Sequence, residues 1–344
     1  MSRGIKVLFS SNRNPNFETF TDYIEKAFKE IGCEIVFFEN RDFIIPWRIR
    51  GKFNFLQKID LKALNKRLLN IAKTFKPDLF LEDGGWNILA ETMESMKRLG
   101  IKTAMWTNDV PIKFESIIRA APHYDHVFTT DSGYIELFIK NNIKNYSVLN
   151  FACDPDFHKP VILSNEEMKI YGCDISFVGS YTSECYPNRR IILESLTDFD
   201  IGVWGPGWEN LPDSSPLKRR VRGGHARPEE WVKIYSASKM ALCIHYQSPY
   251  GMPKTHQATT KVFEIPACGV LLVVDAQKDI MTLLKSGEHL VVYKNVDDLR
   301  AKVLYYLNNE DERKTIAENG RREVLEKHTY KHRVETILKT VGLK

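Results

Sequence analysis

The 344-residue sequence predicts an α/β protein made of two similar halves, each a parallel sheet covered by helices. Three observations carry that reading. Short apolar runs alternate with amphipathic stretches through the first half, and the pattern breaks once, at a polar segment around 154–160. A second alternating series then begins. Strands that alternate with helices must pair in parallel and be covered on both faces. Composition agrees, with 43% hydrophobic and 27% charged residues, as in ordinary globular chains.

The elements follow in order. Residues 5–10 form the first strand. Phe17, Phe20, Ile24, Ala27, Phe28 and Ile31 recur at helical spacing, and Gly32 is the expected stop. Further strands are expected at 34–38, 78–82, 103–106, 126–130 and 146–150, with helical patterns at 61–75 and 87–99. Ligands of such sheets gather at the carboxyl ends of the strands. Those ends carry Ser10-Ser11-Asn12-Arg13, Glu82-Asp83-Gly84-Gly85-Trp86 and Trp106-Thr107-Asn108-Asp109-Val110-Pro111. After the linker, strands are expected at 174–178, 200–204, 240–245, 270–274 and 289–292. Helices complete the chain, with Leu299, Val303, Leu304 and Leu307 on the first apolar face. This gives an N-terminal domain at 1–160 and a second at 161–327, two Rossmann-like halves whose parallel sheets face an interdomain cleft.

Several function classes drop out. No window approaches the roughly 20 apolar residues of a membrane helix, so no stable membrane insertion is expected. The N-terminus shows no signal-peptide pattern. Cys33, Cys153, Cys173, Cys185, Cys243 and Cys268 are scattered without CxxC spacing, which suggests neither a zinc site nor a disulfide framework and favours the cytoplasm. A net charge of +5 suits anionic small molecules and does not argue for nucleic acid. The basic run Lys218-Arg219-Arg220-Val221-Arg222 reads as a solvated loop. The aromatic and basic run Phe43, Trp47, Arg48, Arg50, Lys52, Phe53 and Phe55 reads as an acceptor-binding flap or a packed insertion.

The chemistry concentrates in a few places. Lys261 and Glu264 lie three positions apart on a short helix that stops at Cys268-Gly269 and feeds an apolar strand, so they share a face. An ammonium and a carboxylate on one face suit a diphosphate and a ribose diol, or make a surface ion pair. Phe177-Val178-Gly179-Ser180-Tyr181 ends a strand in a turn fit to cradle phosphate, and Arg189 and Arg190 follow within reach. Trp204-Gly205-Pro206-Gly207-Trp208 opens like a dinucleotide fingerprint but has Asn210 at its last position, and the first strand carries no glycine. Both facts argue against an NAD enzyme. Asp154-Pro155-Asp156 has the letters of a metal-holding DxD but sits at the hinge, so no metal is expected. Asp109 is either a general base at a central strand end or the N-cap of the next helix, with Asp83 the second candidate on that rim. His245 ends a strand of the second half and is a third candidate.

Taken together, these motifs resemble a family. Ser176-Phe177-Val178-Gly179-Ser180, Gly205-Pro206-Gly207-Trp208, Leu242-x-Ile244-His245, Lys261-x-Phe263-Glu264-x-x-Ala267-Cys268-Gly269 and His328-Thr329-Tyr330-x-x-Arg333 are similar to the CgeB-like (spore maturation) glycosyltransferases of group 1, with the GT-B fold. Trp106-x-x-Asp109-x-Pro111 and Phe128-Thr129-Thr130-Asp131 look like the matching first-half signatures. The resemblance implies a nucleotide-sugar donor held by the second domain and a glycan or protein acceptor held by the first. Glu264 would bind the ribose hydroxyls; Gly179, Ser180, Gly205, Lys261 and Arg189 would hold the rest of the donor. No metal or other cofactor is implied. Residues 328–344 would form a helix crossing back to the first domain. Three departures stand out: Lys261 where arginine is commoner, Cys243 where asparagine is, and His256 where a carboxylate often stands. A sugar-nucleotide epimerase and a non-catalytic nucleotide- or sugar-binding module are the alternatives.

Overall fold

The computed structural model describes residues 3–107, 114–184, 186–247 and 254–344. The chain divides into two units, Met1–Leu149 with Tyr330–Lys344, and Asn150–Thr329.

Unit 1 runs β1 (Lys6–Ser11), α1 (Phe20–Glu30), β2 (Glu34–Glu39), α2 (Trp47–Arg50), α3 (Asn54–Phe75), β3 (Leu79–Asp83), α4 (Ala90–Arg98), β4 (Lys102–Thr107), α5 (Phe114–Ala120), β5 (His126–Thr129), α6 (Ile135–Lys140) and β6 (Tyr146–Val148). Its strands form one parallel sheet in the order β2-β1-β3-β4-β5-β6. Leu8, Phe80, Met105 and Val127 line one face of the sheet and meet Leu64, Leu68 and Met93 from the helices. Local chemistry sets the helix limits. The Asp22 carboxylate accepts from the Thr19 amide at 2.8 Å at the start of α1, and Gly32 follows its end at φ +84°. Helix α3 begins well before the expected residue 61. Its buried stripe, Leu64, Leu68 and Ala72, starts only in the third turn, so the earlier turns leave no amphipathic signature.

Unit 2 runs α7 (Asn165–Tyr171), β7 (Cys173–Val178), α8 (Pro187–Glu194), β8 (Ile201–Trp204), β9 (Val221–Gly223), α9 (Pro228–Ser236), β10 (Ser238–Cys243), α10 (Lys261–Ala267), β11 (Leu271–Asp275), α11 (Lys278–Leu283), β12 (Val291–Tyr293), α12 (Val296–Asn308) and α13 (Glu310–Lys327). The sheet order is β12-β11-β10-β7-β8-β9, again parallel. Side chains alternate between two cores, as the pleat requires. Ile175, Phe177, Val203, Leu242 and Val273 enter one; Val178, Trp204, Ala241, Leu272 and Val274 enter the other. Part of the basic run is therefore not a loop. Val221–Gly223 is the edge strand, and Arg222 reaches the Gly172 carbonyl at 2.6 Å and Asp200 at 3.0 Å. Three residues with one apolar member carry no strand period.

The segment 150–160 is tied into unit 2, although the sequence division placed it in the first domain. Asn150 meets Asp279, the Cys153 amide donates to the His328 carbonyl at 3.0 Å, and the following Val161 amide donates to Ser236 at 3.1 Å. Thr329 bridges Cys153, and the next residue opens α14 (Tyr330–Thr340), which packs on α1 within unit 1. Tyr330 lies 5.8 Å from Tyr23, ring centre to ring centre. The His-Thr-Tyr-x-x-Arg run thus serves two units: His328 and Thr329 one, Tyr330 and Arg333 the other.

Candidate functional site

Each sheet reverses its winding once, and polar side chains collect at both reversals. In unit 2 the reversal lies between β7 and β10, the neighbours from which the chain winds outward in opposite directions. Ligands of open parallel sheets bind at such points. The β7 end delivers Gly179 and Ser180, the β8 end Gly205, and the β10 end Cys243 and His245. The helix after β10 delivers Lys261 and Glu264. His245 lies two residues beyond the last residue of its strand.

Arg189 ties the reversal together. Its guanidinium donates to the Ser180 carbonyl at 2.6 Å and to the Ile244 carbonyl at 2.8 and 3.2 Å, so one side chain spans the ends of β7 and β10. It also lies 3.4 Å over the Tyr186 ring. These contacts make it a positioning residue whose charge still acts on the site.

The Gly179-Ser180 turn is shaped from beside it. The Gly179 amide donates to the Trp204 carbonyl and the Tyr181 amide to the Pro206 carbonyl, both at 2.9 Å. These two amides, like the Ser180 carbonyl that accepts from Arg189, are already engaged within the fold. Gly205 has φ +137°, and a Cβ there would stand 2.3 Å from the Gly179 carbonyl oxygen. Only glycine permits that approach.

His245 is buried, with Nδ1 2.8 Å from Asp275 Oδ1 and Nε2 3.2 Å from the Thr259 hydroxyl. The Cys243 sulfur is 3.9 Å from Nε2. Burial works against a charge on this imidazole, but the Cys243 sulfur and the Asp275 carboxylate outweigh it and push His245 up to about 10. Burial also opposes a Cys243 thiolate, yet the adjoining imidazolium draws the thiol below its ordinary value. Both shifts favour a cationic histidine at neutral pH.

That charge has a measurable consequence. A folded-state pKa above the unfolded one stabilises fully below about pH 6.5. The contribution then fades as the pH rises towards about 10. Replacing His245 by Gln is expected to cost about 3–5 kcal/mol at pH 6, as for a broken buried pair. The gap from wild type should narrow steadily towards pH 10, as read by urea denaturation at several pH values. A gap independent of pH would show that His245 is neutral when folded.

Glu264 is buried on α10. One carboxylate oxygen is 3.6 Å from His158 Nε2; the other is buried and has no hydrogen-bond partner among the described residues. Lys261 is half-buried and lies 5.1 Å over the Trp231 ring. Arg189 and Lys261 bring positive charge to the reversal, beside the His245–Asp275 pair and the Glu264 carboxylate. Cationic side chains together with a carboxylate oxygen that has no hydrogen-bond partner among the described residues match a ligand carrying both phosphate charge and hydroxyl donors.

In unit 1 the reversal lies between β1 and β3. Asp83 stands there and accepts from the Ser11 hydroxyl at 2.8 Å; Ser11 in turn meets Thr21 at 3.0 Å. Its neighbour Glu82 is fully buried, and burial, then the charge of Asp83, hold its carboxyl well above the usual range. Asp109 lies outside the described residues. Asp154 builds a turn, accepting from the amides of Asp156 and Phe157 at 3.0 Å each. Among the described residues no group of three metal-ligating side chains is found.

Comparison with known proteins bears on the family and the fold. Residues 189–339 match the family model described as glycosyl transferase-like. Spore protein CgeB of Bacillus subtilis (strain 168) is 18% identical over 273 residues, covering 75% of this chain and 81% of that protein. Sucrose-phosphate synthase from Thermosynechococcus elongatus superposes with a TM-score of 0.66 at 12% identity, over 97% of this chain and 98% of that one. The fold is GT-B, and the likeness is to the CgeB-like group 1 glycosyltransferases. Anabaena Alr3699/HepE, solved in complex with UDP-glucose, gives a TM-score of 0.64 at 12% identity, over 98% of this chain and 99% of that one. No helix among the described residues of this GT-B chain is long and apolar enough to cross a membrane.

Three residues of the unit 2 site escaped the sequence reading. Asp275 ends β11 and orients His245, and the same reasoning that selected Asp109 at a strand end would have found it. Thr259 sits before Lys261 and contacts His245. His158, in a segment read only as a hinge, is buried against Glu264. No local spacing announces that last contact.

Proposed function

We propose that the protein transfers a sugar from a nucleoside diphosphate sugar to a hydroxyl of a glycan or protein acceptor. The buried oxygen of Glu264 that has no hydrogen-bond partner among the described residues, three residues after Lys261, carries the reading. A ribose diol supplies the donors that oxygen lacks. The structural neighbour that holds UDP-glucose supports a sugar nucleotide as the ligand. In this reading Glu264 grips the ribose, while Lys261 and the Ser180 turn hold the diphosphate. His245 and Arg189 add positive charge as the leaving group becomes more anionic. Three cations around one reversal suit a leaving diphosphate without a bound metal, and activity should persist in EDTA. Unit 1 is assigned the acceptor. Asp109 would take the acceptor proton if the reaction inverts, with Asp83 the second carboxylate on its rim.

The test is incubation with uridine, guanosine, thymidine and cytidine diphosphate sugars. Slow release of the free nucleoside diphosphate from one of them is expected, and a plausible acceptor should accelerate it. An altered sugar on an intact nucleotide would mark an epimerase and overturn the proposal. Binding without turnover across a panel of acceptors would mark a binding module and overturn it as well.

A further inference from the structure

The stretch between β2 and the first turns of α3 presents an apolar and basic surface that the donor site on unit 2 does not use. Trp47 is 69% exposed, Ile44 65% and Phe55 60%, and Ile49, Phe53 and Ile59 are at least half exposed. A chain gains nothing by holding six large apolar side chains in water, so a cluster of this size marks a surface with a partner.

The surface is built rather than frayed. Buried Asp60 accepts from the amides of Ile44 and Ile45 at 2.9 and 3.0 Å and pairs with Arg50 at 3.7 Å. Arg50 in turn lies 3.4 Å over the Phe43 ring. Asp60 therefore pins the strand-to-helix segment from beneath, while the exposed apolar side chains are held outside that anchor.

The charge pattern selects the partner. From Phe43 to Ile59 the sequence contains no Asp or Glu, while Arg48, Lys52 and Lys58 are exposed. Lys62 and Lys66 continue from Lys58 at four-residue steps and are also exposed, forming one stripe along α3 beside Phe55 and Ile59. Tryptophan and phenylalanine interleaved with lysine and arginine suit the boundary between headgroups and acyl chains. There the rings bury and the cations meet lipid phosphates.

We propose that this surface docks the protein reversibly on an anionic phospholipid bilayer. It lies in the plane of the interface and does not span it. The contact does not depend on the sugar-transfer reading.

The test is co-sedimentation of the full chain with vesicles. Wild type should pellet with phosphatidylglycerol–phosphatidylcholine vesicles and at least tenfold less with phosphatidylcholine alone, and the binding should fall with added salt. The Trp47→Ser, Phe55→Ser double variant and the Lys52→Glu, Lys58→Glu double variant should each lose at least tenfold in partition. All four positions are exposed, so the melting midpoints should match wild type, and that measurement separates lost docking from lost folding. Failure of wild type to bind anionic vesicles would overturn the proposal. So would unchanged partition of both variants, or equal binding to neutral vesicles. Tight binding to a soluble polyanion such as heparin, with no vesicle binding, would reassign the surface to a polyanionic macromolecule.

Discussion

Replacing Glu264 by Ala is expected to weaken nucleoside diphosphate binding on the order of 100-fold. Hydrogen bonds to a charged group contribute about 1.5–3 kcal/mol, and each 1.4 kcal/mol is a factor of about ten. The carboxylate is buried, and one oxygen has no hydrogen-bond partner among the described residues. Glu264→Gln keeps the shape and one acceptor and should fall between the two. Calorimetric titration with the diphosphate picked out by a thermal-shift screen reads both variants. An unchanged dissociation constant in Glu264→Ala would remove the ribose assignment.

The second large effect falls on stability. Gly205→Ala should cost about 3–5 kcal/mol, because both obstacles act at once. The backbone sits at φ +137°, and the new methyl would meet the Gly179 carbonyl at 2.3 Å. A carbonyl in the backbone does not swing aside as a flexible side chain does, so the ends of β7 and β8 must part. Gly224→Ala is the control: nothing lies within 4 Å of a Cβ there and its φ is ordinary, so the midpoint should barely move. Denaturant midpoints decide between them. Equal stability of Gly205→Ala and wild type would mean the two turns do not touch as described.

How much of this was legible beforehand follows from the kind of signal each feature leaves. Parallel strands buried on both faces read as apolar runs, and the polar residues just after each run are rim residues; Asp83, after Glu82, and His245 were found that way. Lys261 and Glu264 were found by helical spacing. Asp275 ends the apolar run of β11 and was open to the same strand-end reading; its pairing with His245 needed the further fact that β10 and β11 are neighbours. The contact of His158 with Glu264 joins residues with no periodic relation at all. The start of α3 was missed for an opposite reason. A helix shows its period only where one face is buried, and residues 54–59 have no buried side chain. The same lack of burial that hid those turns exposes the surface proposed to meet lipid.

The crossing at Thr329–Tyr330 bears on how the chain comes to be folded. Unit 1 is discontinuous in sequence and unit 2 is an uninterrupted insert within it. During synthesis unit 2 has every strand and helix it needs before α14 is made. The first 149 residues meanwhile wait, with the face of α1 around Tyr23 still uncovered. The first half to be translated is thus the last to be completed, and its closure depends on a helix that follows the whole of the other unit.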